Sequence, residues 1–228
     1  MRHLITISFL LFSASLFGQG LTYSSWKEEA KINIRLLPGY GGVEKTAEQK
    51  KADQELIDTY TAQAGSRSNG SELLVKLGFD YLYKGDLKTA MYRFNQAWLL
   101  NPNNANAYWG FGAVYFSFGD VDSALKQYNE GLKMDANSTN ILTDKATIYM
   151  TSYMSSKNEK DYNQALSLFK KSYLIDSKNQ NTLFKISACY FIKKDCENAW
   201  KYYNECRKLG GRPITKEYTE ALKQGCKR

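Results

Sequence analysis

The sequence predicts an all-α fold assembled from repeated helix–turn–helix units, and three observations carry that prediction. Only three prolines, Pro38, Pro102 and Pro213, interrupt 228 residues. Small and bulky residues alternate at helical spacing on paired segments, and the pattern returns after thirty-four residues. Proline removes a backbone donor and clashes with the preceding helical turn, so its scarcity permits long helices almost everywhere. A composition of 43% hydrophobic and 24% charged residues belongs to a foldable chain, not a disordered one.

In chain order, the first segment stands apart. MRHLITISFLLFSASLFGQG, residues 1–20, has a basic start at Arg2, an uncharged run from Leu4 to Phe17 and a small-x-small exit at Gly18-Gln19-Gly20. This is the layout of a secretory signal peptide, with cleavage compatible with either Gly18 or Gly20. Fourteen helical residues rise only about 21 Å, short of a hydrocarbon core of about 30 Å, which argues against a permanent anchor. No cysteine near the exit supports lipid modification. Export to a bacterial periplasm or cell envelope is the localisation this predicts. Removing the segment would also remove His3, the single histidine. A chain without histidine cannot build a Ser-His-Asp or Cys-His site or a His-containing zinc site. PGYGG at Pro38–Gly42 lacks the Lys-Ser/Thr ending of a phosphate loop and reads as a turn. The sequence therefore predicts no catalytic residue, no metal site and no cofactor.

Residues 21–70 form an N-terminal helical extension. Ser25, with Glu28 three residues on, suggests a capping box for a short helix ending before Pro38. A longer helix is expected from about Glu44 to Ala64, with Ala52, Leu56 and Tyr60 at i, i+4 spacing. Gly65–Ser71 reads as a flexible joint. The QKKADQELI run reads as a solvated helix face.

From Ser71 the pattern repeats. LGFDYLYKGDLKTAMYRFNQAWLLNP, Leu77–Pro102, aligns with WGFGAVYFSFGDVDSALKQYNEGLKMDA, Trp109–Ala136. Gly78 corresponds to Gly112, Tyr81 to Tyr115, Gly85-Asp86 to Gly119-Asp120, Ala90 to Ala124 and Phe94 to Tyr128. A third copy carries Ala146, Tyr149, Ala165 and Phe169, with about seven added residues in SYMSSKNEKDYN expected to lengthen its turn. A fourth carries Tyr190, Asp195, Ala199 and Tyr203, with Ser187 replacing the first small residue.

On Leu77, Gly78, Tyr81, Ala90, Phe94, Ala97 and Pro102, the pattern resembles the tetratricopeptide-repeat family over Ser71–Pro213. Four copies follow, at 71–104, 105–138, 139–179 and 180–213. Ala136 and Ser177 depart from the closing proline, and Gly131, Ser172 and Cys206 from the second alanine. The stretch LLPGYGGVEKTAEQKKADQELID is also similar to segments of exported repeat proteins of Bacteroidetes-type bacteria. A repeat of this kind cannot bury its apolar face alone, so the copies are expected to stack into a right-handed superhelical solenoid. ITKEYTEALKQGCKR, residues 214–228, places Tyr218, Ala221 and Leu222 on one face and suits a capping helix. Within each pair, small residues let the helix axes approach while Phe94 and Trp98 fill the adjoining space.

Lys plus Arg of 31 against 23 acids gives a net charge of +8, and loss of Arg2 with the leader would leave +7. Apart from FIKKD and KQGCKR the positive residues are dispersed, which reads as a solvated basic surface and not as a nucleic-acid site. All four cysteines, Cys189, Cys196, Cys206 and Cys226, lie in the last forty residues. In an exported chain an even, local set suggests disulfides. Cys196 opens the second helix of the last repeat and Cys226 ends the capping helix on the same side, so these two are the expected pair. Cys189 with Cys206 would follow only by elimination. The other possibility is four buried thiols in a reducing compartment.

The family resemblance implies function on the wall made by the first helix of each repeat. There the register places Phe79, Tyr83, Trp109, Phe116, Phe184 and Phe191, with Asn106, Asn140 and Asn181 at one recurring position. Aromatics there are candidate anchors for a peptide or protein segment, and the asparagines suit its backbone. Two structural roles compete: asparagine favours helix starts, and the aromatics suit an N-terminal segment folded back into the groove. The two-carboxylate clamp of chaperone-binding members is not implied, because Val75, Phe79, Gly110 and Asp144 occupy its positions. The reading is a non-catalytic exported scaffold that binds protein or peptide and no nucleic acid. A structural or assembly factor of the cell envelope, acting through its N-terminal or convex surface, is the alternative.

Overall fold

The protein is described here by a computed structural model covering residues 21–227. The expected leader, residues 1–20, lies outside the described residues. Among the described residues the chain forms eleven α-helices and two 3-10 turns. They divide into two compact units meeting in sequence at Ala136 and Asn137.

The first unit holds α1 (Tyr23–Ala30), 3-10 turns at Ile34–Leu36 and Pro38–Gly42, α2 (Ala47–Ala64), α3 (Arg67–Tyr83), α4 (Leu87–Leu100), α5 (Ala105–Ser117) and α6 (Val121–Met134). The α3–α4 and α5–α6 pairs are the first two repeats. Asp86 and Asp120 cap α4 and α6 by accepting from the Thr89 and Ser123 amides. Gly85 and Gly119 precede them at φ 80° and 77°, the left-handed geometry that glycine adopts without a Cβ clash.

Phe94 explains why glycines recur on the first helices. Its side chain is fully buried. A Cβ on Gly78 would lie 2.4 Å from its ring, and one on Gly110 of the next repeat 2.2 Å. Tyr128 stands in the same relation to Gly112, at 2.3 Å. Each ring thus lies directly against backbone, which a larger residue would prevent.

Within the N-terminal extension the two 3-10 turns pack on α4, α2 lies chiefly against α3, and Tyr23 and Trp26 of α1 stack on Phe118 at the end of α5. The Asn95 amide is fully buried in mid-helix and donates to the Arg35 and Leu37 carbonyls at 2.8 and 3.0 Å. Asn33 donates to the Tyr92 hydroxyl at 2.9 Å, and the Arg35 guanidinium lies 3.8 Å from the Tyr92 ring. Tyr40 packs edge-on to Trp98, while Lys88 pairs with Glu29 and the Tyr23 hydroxyl donates to Asp120. The expected PGYGG turn is present, with φ of 58° to 68° from Gly39 through Gly42. Tyr40 alone among these carries a side chain, and its burial against α4 accounts for a geometry that residues with a Cβ avoid.

Three local expectations are corrected. Thr22 caps α1, and Ser25 is the residue that reaches back in the capping box. The longer helix begins at Ala47, capped by Thr46, not at Glu44. The expected joint over Gly65–Ser71 shrinks to Gly65 and Ser66, because α3 already starts at Arg67. Arg67 secures that early turn by donating to the Leu100 and Leu99 carbonyls at the end of α4, 3.0 and 3.1 Å away.

The second unit holds α7 (Thr139–Ser156), α8 (Glu159–Ile175), α9 (Gln180–Ile192), α10 (Cys196–Lys208) and α11 (Lys216–Gly225). The added residues of the third copy lengthen its helices, not its turn. Between α7 and α8 only Lys157, at φ 56°, and the capping Asn158 remain. Buried hydroxyls of Thr143, Ser172 and Thr182 close a triangle of hydrogen bonds at 2.8 to 3.1 Å, which satisfies polar groups at the departures from the repeat pattern. Ser187, in the place of a glycine, donates to the Ala199 carbonyl at 2.7 Å and bonds the Tyr218 hydroxyl at the same distance.

Cys196 and Cys226 are joined by a disulfide that ties α11 to α10, with their Cα atoms 5.2 Å apart. Cys189 and Cys206 are buried free thiols, so the pairing by elimination does not occur. Cys189 faces the Met150 sulfur at 3.7 Å, and Cys206 the Gln180 carbonyl at 3.4 Å.

Candidate functional site

The first helices of the repeats carry the residues that the register singles out, and each unit uses them differently. In the first unit, Phe79, Tyr83 and Trp109 come together on α3 and α5. The Phe79 ring centroid lies 4.0 Å from Trp109, 6.0 Å from Tyr83 and 5.0 Å from Phe94 beneath it. Phe79 is only 8% exposed and forms the floor of the cluster instead of an anchor, because its edge is already committed to Phe94. Tyr83 rises above it at 59% exposure, and Trp109 is half-buried beside it. Phe116 is also half-buried, two helical turns beyond Trp109 on α5.

Asn106, Asn140 and Asn181 do recur at one position, the second residue of α5, α7 and α9. Asn106 is engaged within the fold. Its amide donates to both carboxylate oxygens of Glu72 at 3.2 Å, tying the start of α5 to the start of α3. Asn140 is half-buried and Asn181 exposed.

In the second unit, Phe184 and Phe191 are drawn beneath the capping helix. Tyr218 of α11 meets both edge-on, at 5.1 and 6.0 Å between centroids. A Cβ on Gly225 would stand 2.7 Å from the Phe191 ring. These two aromatics form a seam with α11, and their burial is structural. Sequence reasoning identifies Tyr218 as a capping residue without showing what it would cover, since nothing in the spacing of Phe184 and Phe191 indicates the docking partner.

The titratable groups offer little for chemistry. Burial raises the Cys189 thiol to about 12 and Cys206 to about 11, so both remain protonated and unreactive at neutral pH. Burial lowers Lys185, and the charge of Asp144 opposes that shift. Among the described residues no group of three or more His, Cys, Asp or Glu side chains gathers as metal ligands. Among them, too, no helix is long and apolar enough to cross a membrane.

The fold and this arrangement define an all-α helical-repeat chain. Residues 81–146 match the tetratricopeptide-repeat family model. The structure of the chain is similar to a thermophilic tetratricopeptide-repeat protein of Thermus thermophilus, with a TM-score of 0.56 and 17% identity over 68% of this chain and 80% of that one. It is also similar to MamA, with a TM-score of 0.47 and 17% identity over 75% of this chain and 98% of that one. At such identities the likeness concerns the fold alone. Comparison with curated protein sequences returns no match.

Proposed function

We propose that this protein is a non-catalytic, exported scaffold whose α3–α5 face holds a peptide or protein segment. The observation that carries the reading is the cluster of Tyr83, Phe79 and Trp109 on the first helices, while Asn33, Arg35 and Tyr40 of the N-terminal extension are engaged by Tyr92, Asn95 and Trp98 of α4. Partly exposed tyrosine and tryptophan on a rigid helical support supply large contact area at little entropic cost. Export and an oxidising envelope compartment are supported by the disulfide between Cys196 and Cys226 and by the leader-like residues 1–20.

The mature chain and a Trp109→Ala, Phe116→Ala variant, checked for unchanged helicity, would be used to capture partners from an envelope extract. The variant is expected to lose a partner that the parent retains. Retention of the same partner would move the binding surface elsewhere. The place to look would then be the extension, where Ile32 is 89% and Val43 53% exposed, which favours an assembly factor acting through its N-terminal surface.

A further inference from the structure

The net positive charge of the chain lies in its second unit. Residues 137–228 hold 17 basic and 9 acidic side chains, a net +8, while residues 21–136 hold 13 basic and 14 acidic ones. Such an asymmetry points to an anionic partner for one part of the chain. The cations are dispersed in sequence, but the fold gathers several at one edge, where α8 and α10 end side by side. Tyr173 near the end of α8 packs edge-on to Tyr202 of α10 at 5.4 Å and donates to Glu205 at 3.0 Å. Beyond the helices, the Gln180 side-chain amide donates to the Leu209 carbonyl at 2.7 Å and accepts from the Arg212 backbone N–H at 2.9 Å. The turns that follow α8 and α10 are thereby tied together, and they bring Lys178 and Arg212 to the same edge as Arg207 and Lys208 of α10. All four are exposed, and among the described residues none of the four forms an ion pair. The acids there face the fold's own donors: Glu205 the Tyr173 hydroxyl, and Asp176 the Lys178 backbone N–H at 2.9 Å.

The same edge exposes aliphatic side chains. Leu174 is 82% exposed, and Ile175 and Leu209 are 41% and 38% exposed. Attraction to the helix C-terminal dipole accounts for Arg207 and Lys208 but not for aliphatics placed among cations. A protein interface suits the edge poorly, because the core of such an interface is rich in aromatic residues and depleted in lysine. A bilayer surface satisfies both features at once: phosphate headgroups meet the basic side chains, and an aliphatic side chain beyond them enters the acyl boundary. We propose that the α8–α10 edge of the second unit docks this protein on an anionic phospholipid surface, with Leu174 inserted and Lys178, Arg207, Lys208 and Arg212 against the headgroups. This is independent of a peptide site on α3 and α5.

The test is flotation of the full mature chain with vesicles of phosphatidylcholine alone, and with vesicles that also contain about 30% of the anionic lipid phosphatidylglycerol. Binding is expected to the anionic vesicles only, and to fall steeply between about 0.1 and 0.5 M salt. The double variant Lys208→Ser, Arg212→Ser should weaken it about thirtyfold, from roughly a fivefold loss for each basic residue removed. Leu174→Ser should weaken it about tenfold and leave the salt dependence unchanged. Lys50→Ser, Lys51→Ser on α2 removes the same charge elsewhere and should change nothing. All five positions are exposed, so each variant should keep the parent's circular dichroism spectrum. Equal binding to both vesicles, binding to neither, or an equal loss in the α2 variant would each overturn the docking edge. Vesicle binding that Leu174→Ser leaves unchanged would overturn the insertion, and with it the choice of a bilayer over another polyanion. Capture of an oligoglutamate peptide in place of the anionic vesicles, still sensitive to Lys208→Ser, Arg212→Ser, would overturn the lipid partner in favour of an acidic protein segment.

Discussion

Phe94→Ala is expected to destabilise the first unit by about 3 to 5 kcal/mol, the range for truncating a fully buried phenylalanine. The upper part of that range is expected because of what surrounds the ring. Its neighbours on two sides are Gly78 and Gly110, whose missing side chains would have to supply any atoms that filled the void. On a third side lies Phe79, itself held at 4.0 Å from Trp109. Glycine backbone in the middle of α3 and α5 cannot collapse inward without breaking helical hydrogen bonds, so the cavity stays open. In repeat arrays stability is a sum of units and their nearest-neighbour interfaces, so the loss should fall first on α3, α4 and α5. Urea unfolding followed by far-UV circular dichroism checks this. A midpoint displaced by less than about 1 kcal/mol equivalent would show that the ring is not the keystone of that contact.

Removing the Cys196–Cys226 bond, by Cys226→Ser or by reductant, is expected to cost about 3 to 4 kcal/mol for a loop of this length on the chain-entropy model. The sequence separation is 30 residues, and the bond is a covalent tie between α10 and α11 beyond the chain itself. Its loss has further consequences in the seam. Trp200 donates its indole N–H to the Cys226 carbonyl at 2.9 Å, and Tyr218 covers Phe184 and Phe191. A freed α11 would expose those rings, so the variant should also bind a hydrophobic dye. The melting temperature should fall on the order of 10 °C for a chain of this size. Reductant should shift the parent and leave Cys226→Ser unmoved. A parent indifferent to reductant would contradict the assignment. Alkylation supplies an independent check, because Cys189 and Cys206, buried and protonated, should react only after unfolding.

What the sequence makes legible is the periodic part of the design. Gly78, Gly112, Ala90 and Ala124 recur because two helices must meet closely at the same place in each repeat, and such contacts are local in sequence. Cys196 and Cys226 can be paired for the same reason, since the repeat register fixes which helix end each occupies. The candidate site is less legible, because exposure is decided by elements far away in the chain. Phe79 has the spacing of a groove residue but lies under Trp109, thirty positions on, and Phe184 and Phe191 lie under Tyr218. Asn95 carries a signal that periodicity passes over. A polar residue in mid-helix between Phe94 and Ala97 must find partners if buried, and they come from the Arg35 and Leu37 carbonyls sixty residues earlier. That contact decides where the Arg35–Leu37 turn docks on α4. The lengthened α7 and α8 read as a longer turn in sequence because SSKNEK is polar, yet polar residues are at ease on an exposed helix end.

The measurement that tests the account most directly is site-specific photocrosslinking in the envelope, with a benzoylphenylalanine in place of Tyr83 and, separately, in place of Lys126 on the outward side of α6. Both positions are exposed, so neither probe disturbs the core. A discrete adduct from position 83 and none from position 126 is the predicted result. An adduct from position 126 with none from position 83 would contradict a binding face on α3 and α5.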